Sequence, residues 1–272
     1  MTRITETFAR LKAEHRAGLV AYVMAGHPFP EATPAIVRAL ILGGADMIEL
    51  GVPFSDPVAD GPTIQAAGQV ALGQGVLLPE VFSIAKSIRS FAAQAPVLAM
   101  TYVNPIFSMG YEDFSRAAVE AGLDGVIVPD LPAEESGDLL AAADAAGLSV
   151  VGLLAPTSIP DRLQKVCAAS REMVYYVSRL GVTGARASLD DELVSNLSYL
   201  RAHLPLPFVV GFGISTPEQA ARVAPHADGV VVGSALVDAV KDARTPLDAA
   251  ELALQFISPL ADAVRQSQGA RP

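Results

Sequence analysis

Residues 121–156 read AGLDGVIVPDLPAEESGDLLAAADAAGLSVVGLLAP. A short apolar run at 125–129 gives way to an alanine-rich stretch at 135–146, then Gly147, then a second apolar run at 149–154. Both runs are continuous rather than alternating, as strands buried on two faces require. A glycine between helix and strand suits the left-handed turn that ends a helix. The stretch therefore predicts one strand, a helix packed on it, and a parallel neighbouring strand.

The same order extends in both directions. Apolar runs lie at 19–25, 45–51, 96–102, 125–129, 149–154, 173–178, 208–211 and 229–233. Helix candidates lie at 31–42, 81–91, 111–121, 135–146, 160–170, 189–202, 216–224 and 246–266. Glycines at Gly43-Gly44 and Gly122 repeat the punctuation seen at Gly147. Eight such units fit an α/β fold of the closed kind, a (β/α)8 TIM barrel, better than a doubly wound sheet. An extra N-terminal helix over 5–15, with Ile4, Phe8 and Leu11 on one face, is expected to cover the barrel floor. No composition shift or fixed-period repeat divides the chain, so residues 1–272 read as one domain with a polar tail at 267–272.

The composition narrows the function. Of 272 residues 51% are hydrophobic and 18% charged, with 19 basic against 29 acidic side chains for a net charge of −10. An acidic balance argues against non-specific nucleic-acid binding, which needs clustered cations. No apolar stretch reaches the roughly 20 residues of a spanning helix, and no secretion signal follows Arg3, Glu6 and Arg10. Cys167 is the single cysteine, which suits a reducing cytoplasm. His15, His27, His203 and His226 are scattered, so neither a zinc site nor any other metal site is expected.

In barrels of this kind chemistry gathers at the carboxyl ends of the strands and in the loops that follow. Glu49 stands in an apolar strand near that end, where desolvation raises a carboxyl pKa and poises it for proton transfer. Asp56 and Asp60 lie in the long loop 52–62, and Asp60 can face a ligand shared with Glu49. Gly211, Phe212 and Gly213 follow the seventh strand, and Gly233 with Ser234 the eighth, the two loops from which barrels commonly build a phosphate site. The second long loop, 179–188, holds Thr183 and Gly184 in GVTGA and suggests a lid with a hydroxyl. Tyr22, Met100, Tyr102, Ile127, Leu153, Tyr175 and Phe212 sit at strand ends and suggest a dry wall for a flat apolar group. The substrate implied is a small phosphorylated molecule with one greasy end.

Several chemistries are excluded. Lys12, Lys86, Lys165 and Lys241 avoid the catalytic strand ends, so a Schiff base has no nucleophile. No Gly-x-Gly-x-x-Gly stands between a strand and a helix, as a nicotinamide site would need. Proton transfer by carboxylates remains.

The motifs ELGVPFSDPVADGPTIQ at 49–65, TYVNPIF at 101–107, PDLPAEE at 129–135, SRLGVTGA at 178–185, GFGIS at 211–215 and GSA at 233–235 closely resemble those of the tryptophan synthase α-subunit family. The resemblance spans about residues 5–240. It implies retro-aldol cleavage of indole-3-glycerol phosphate to indole and glyceraldehyde 3-phosphate, with no cofactor in this chain. On the matched motifs Glu49 would exchange protons with the glycerol hydroxyl and indole C3. Asp60 would stabilise positive charge at the indole nitrogen, Thr183 would orient Asp60, and Tyr175 would border the glycerol chain. The implied partner is the β subunit, which carries pyridoxal phosphate, in a complex of two α and two β chains. Pro53, Asp56 and Asn104 would face it. Departures from the family pattern are His27 in AGHP, where an acid is usual, Tyr22 in place of phenylalanine, and Met100 in place of an aliphatic residue. A stand-alone lyase releasing indole, another phosphate-binding barrel such as a sugar-phosphate isomerase, and a non-catalytic ligand-binding regulatory subunit are the alternative readings.

Overall fold

The computed structural model describes residues 1–156, 162–178, 191–211 and 213–267. Helix α1 (Arg3–Ala13) leads to β1 (Gly18–Met24), α2 (Ala32–Leu42) and β2 (Met47–Gly51). Then come α3 (Pro62–Gly73), α4 (Leu78–Arg89), β3 (Val97–Met100), α5 (Val103–Met109), α6 (Tyr111–Glu120) and β4 (Gly125–Ile127). The middle of the chain forms α7 (Gly137–Ala146), β5 (Ser149–Leu154), α8 (Leu163–Ala168), β6 (Val174–Val177) and α9 (Asp191–His203). It finishes with β7 (Phe208–Gly211), α10 (Pro217–Val223), β8 (Gly229–Val232), α11 (Ser234–Val240) and α12 (Pro246–Gln266). The strands pair in parallel in chain order, and β1 pairs β8 to close the barrel.

All eight expected strands are present. The left-handed turns fall on Gly44, Gly122 and Gly147, each with positive φ. Three helices beyond those expected appear among the described residues, one of them α11, straight after β8. α3 begins straight after the loop carrying Asp60, with Pro62 in its first turn, and α5 begins straight after Tyr102. Both are short insertions between a strand and the helix that covers it. Lys241 lies just past α11, as its C-cap, not inside a helix.

Strand alternation divides the core in two. Val20, Met47, Leu98, Ile127, Val151, Met173, Tyr175, Val209 and Val231 point inward and form an inner cluster. Their neighbours, such as Ile48, Ala99, Val126 and Val210, face the helices in an outer cluster. Ile4 and Phe8 of α1 join the inner cluster, so the helix plugs the floor as its spacing predicts. α1 starts well because Thr2 and Thr5 cap its first turn reciprocally.

The floor carries a repeated polar clip. Asp46, Asp124 and Asp228 stand at the entries to β2, β4 and β8. Each accepts a backbone N–H from the strand before: Leu19 at 3.0 Å, Val97 at 2.8 Å and Phe208 at 3.0 Å. An arginine meets each carboxylate: Arg16 and Arg10 on Asp46, Arg89 and Arg3 on Asp124, Arg201 on Asp228. Burial alone would raise the Asp46 pKa, but the bonds from Arg16 and Arg10 outweigh it and hold the carboxyl below its ordinary value.

Asp124→Ala strands the Val97 N–H and leaves Arg89, whose side chain is only 15% exposed, without its carboxylate. Removing one partner of such a pair costs about 3 kcal/mol or more, readable as a fall in the urea midpoint. Asp113→Ala, which loses only an exposed pair with Arg116, is expected to cost less than about 1 kcal/mol.

Candidate active site

The inward positions nearest the strand ends converge on one cavity of about 210 Å³. Its apolar wall comes from Tyr22, Met100, Ile127, Tyr175, Ile214 and Val231. Its polar groups are Glu49, Asp60, Thr63 and Ser234, with Gly213 and Gly233 beside them. Among the described lining residues there is no lysine or arginine.

Glu49 is opposite Tyr22 in the β1–β2 register, so both side chains enter the barrel in the same layer. The glutamate is 2% exposed, and its Oε2 has no hydrogen-bond partner. Burial, and then the charge of nearby Asp60, push its pKa up to about 8. At neutral pH Glu49 is therefore mostly protonated, a proton source facing a dry space. Asp60 lies at the rim. Burial raises its pKa and a hydrogen bond with the Tyr102 side chain opposes the rise. The Tyr22 and Tyr175 hydroxyls are held protonated by burial, reinforced by Asp60 and Glu49 at Tyr22 and by Glu49 at Tyr175.

Two tyrosines fit because glycines face them. A Cβ at Gly51 would lie 2.1 Å from the Tyr22 hydroxyl, and one at Gly211 would lie 2.1 Å from that of Tyr175. Gly211 makes room for Tyr175 and is not among the residues that line this cavity. Leu153 is also placed elsewhere: it lines a second cavity of about 440 Å³, which Met100 shares. Tyr102 borders neither cavity; its ring stacks on Phe54 at 5.2 Å and its hydroxyl accepts the Ala59 N–H at 3.1 Å. Thr183, Gly184, Phe212 and the expected lid at 179–188 lie outside the described residues.

Gly213, with φ of +85°, Gly233 and Ser234 do gather at the cavity, and Ser234 opens α11. The Ser234 and Ala235 amides at the start of α11 have no acceptor within their own helix, which suits an anion. The wall from Gly61 to Ile64 was not foreseen. Its signal is Gly61 followed by Pro62, a helix start that brings this segment over the barrel mouth. Of the expected partner-facing residues, Asp56 and Asn104 are exposed and Pro53 is buried. His27 is 7% exposed, and burial pushes its pKa down, so it is neutral where the family pattern has a negative charge.

Among the described residues no three or more His, Cys, Asp or Glu side chains are grouped to hold a metal ion. No described helix is long and apolar enough to cross a membrane.

The family model described as tryptophan synthase alpha chain matches residues 8–265. The tryptophan synthase alpha chain of Geobacter sulfurreducens is 47% identical over 267 residues, covering 97% of this chain and 99% of the relative. That of Geotalea daltonii is 50% identical over 237 residues, covering 87% and 89%. Among solved structures, tryptophan synthase subunit alpha from Legionella pneumophila superposes with a TM-score of 0.90 at 37% identity, covering 98% and 99%. A chain of Mycobacterium tuberculosis tryptophan synthase gives 0.87 at 37% identity, covering 97% and 98%.

The buried carboxyl has a stability signature. Because the Glu49 pKa rises from 4.5 to about 8 on folding, the folded state keeps a proton that the unfolded chain has lost. Stability is then full at acid pH and is lost as pH climbs through that interval, at roughly 1.4 kcal/mol per unit. Glu49→Gln removes this slope, so its melting temperature relative to the parent chain is expected to rise from pH 5 to pH 8 and then level off. A constant offset across that range would contradict the assignment.

Proposed function

The chain belongs to the tryptophan synthase α-chain family, and from that premise we propose that Glu49 and Asp60 carry its cleavage of indole-3-glycerol phosphate to indole and glyceraldehyde 3-phosphate. It is a carbon–carbon lyase of tryptophan biosynthesis. The observation that supports the residue roles best is the unpartnered Glu49 carboxyl, protonated at neutral pH, in a mostly apolar cavity beside Asp60.

The protons balance on one residue. Glu49 gives its proton to indole C3, which becomes tetrahedral while positive charge gathers on the ring nitrogen. The ionised Asp60 faces that charge. The bond from C3 to the glycerol chain then breaks, its electrons returning to the indole ring. The hydroxyl on the departing carbon yields its proton to the Glu49 carboxylate as its oxygen becomes the aldehyde carbonyl. Glu49 ends as it began, so the reaction consumes neither acid nor base. The tetrahedral C3 makes indole a leaving group without an imine or a metal. Tyr22, Met100, Ile127 and Tyr175 give the ring its apolar walls, and Gly213, Gly233 and Ser234 take the phosphate through backbone dipoles.

The partner is the tryptophan synthase β subunit, in a complex of two α and two β chains, and pyridoxal phosphate belongs to the β chain. This chain needs no cofactor of its own. Asp56 and Asn104 stand exposed on the loop and helix that we assign to that interface. We read residues 1–272 as one domain, since β1 pairs β8 and α12 packs on α2, and we place the chain in the cytoplasm on its single cysteine.

Turnover of indole-3-glycerol phosphate by the purified chain, with and without a β subunit, tests the reading. Glu49→Gln is expected to lose about 10²–10⁴-fold in kcat and Asp60→Asn to be severe, whereas Asp56→Asn should chiefly weaken the response to the β subunit. Near-normal turnover by Glu49→Gln would end the proposal. The acid–base pair also fixes the pH profile. Activity should fall as pH rises through about 8, where Glu49 loses its proton, and fall on the acid side as Asp60, raised above its ordinary value, becomes neutral.

A further inference from the structure

Asp60 has to be held in place by a loop that makes few bonds to the barrel. Between β2 and α3 the Val58 N–H donates to Asp56 and the Asp60 N–H to Pro57, so the backbone turns back on itself. Gln65 of α3 steadies the end of the loop by donating to the Asp60 carbonyl at 3.0 Å. A further anchor is Tyr102, which is 3% exposed. Its ring stacks on Phe54 near the start of the loop, with 29° between the planes. Its oxygen accepts the Ala59 N–H near the end.

Hydroxyl chemistry sharpens this. A tyrosine oxygen that accepts one bond still has a single proton to give. The Tyr102 side chain also favours the charged form of the nearby Asp60 carboxyl. Tyr102 is itself fixed, because it caps α5 and the next residue, Val103, donates its N–H to Asp130 at 2.9 Å. The groups facing Asp60 are then Tyr102, Glu49 from β2 and Tyr22 from β1, with Asp130 behind Tyr102.

We propose that Tyr102 is a positioning residue rather than a substrate contact: its hydroxyl holds the Ala59 backbone and its ring grips Phe54, so that one side chain ties both ends of the loop that carries Asp60 over the cavity mouth. The proposal rests on the catalytic reading of Asp60 given above.

Tyr102→Phe keeps the stack and removes only the hydroxyl. In the full chain with its β subunit, kcat is expected to fall about tenfold, the worth of one net hydrogen bond, with KM within about twofold. The acid limb of the pH profile should move to higher pH, because Asp60 loses the group that favours its charge. Hydrogen exchange at the Ala59 amide should quicken without any substrate present. Phe54→Leu, which keeps the hydroxyl and removes the stack, should change the same readouts in the same direction by less. A raised KM with unchanged kcat and an unmoved acid limb would put Tyr102 against substrate and overturn the proposal, as would unaltered protection of Ala59. If the parent chain did not cleave the substrate, the reaction reading would fall; Ala59 exchange and a carboxyl titration of Asp60 in the variant would still decide the role of Tyr102.

Discussion

Withdrawing the Glu49 carboxyl from water is the step on which the site's chemistry turns, and the barrel is built so that this group stays unpartnered. An isolated buried carboxylate is costly enough that the group keeps its proton instead. The surrounding wall is therefore apolar, with no described arginine or lysine lining it to pair with the acid. Cations are placed at the opposite end of the strands, where Arg16, Arg89 and Arg201 meet Asp46, Asp124 and Asp228. The floor holds these pairs, and the cavity at the mouth keeps an acid with no cation beside it among the described lining residues. That separation lets one strand, β2, begin beside a clamped aspartate and carry the glutamate that we propose as the proton donor.

The same arrangement accounts for an anionic ligand in a chain of net charge −10. A guanidinium or ammonium near the phosphate would also draw the Glu49 pKa down and ionise the group that we propose as the proton donor. Glycine-rich turns and helix-start amides attract phosphate over a shorter range than a full charge does. The acid and the anion site can then share a small cavity without one disabling the other.

Much of this was legible in the sequence because burial leaves a strong mark on composition. Continuous apolar runs ending in glycines gave the strands, and a lone Glu49 among them stood out as a charge with no ordinary reason to be there. The rest depends on three-dimensional matching that no run of letters displays. Gly211 looked like a phosphate turn, yet its open side is filled by Tyr175 from the next strand. Tyr102 looked like a strand-end wall residue, yet the chain turns into α5 straight after it and the ring swings under the loop. The aspartate clips escaped notice because they stand at only three of the strand entries and at uneven spacing, and insertions such as α3 and α5 hide the register.

The tyrosine–glycine pairs have a consequence for how this barrel can change over generations. Removing the hydroxyl of Tyr22 would still leave its Cζ 2.6 Å from any Cβ added at Gly51, and the same distance separates Tyr175 from Gly211. Phenylalanine is therefore not a stepping stone to alanine at the facing glycine; the ring has to shrink or turn first. The order of substitutions is constrained, so each glycine is shielded from drift by a residue on another strand. Lineages that retain the large rings inherit both members of each pair as a unit.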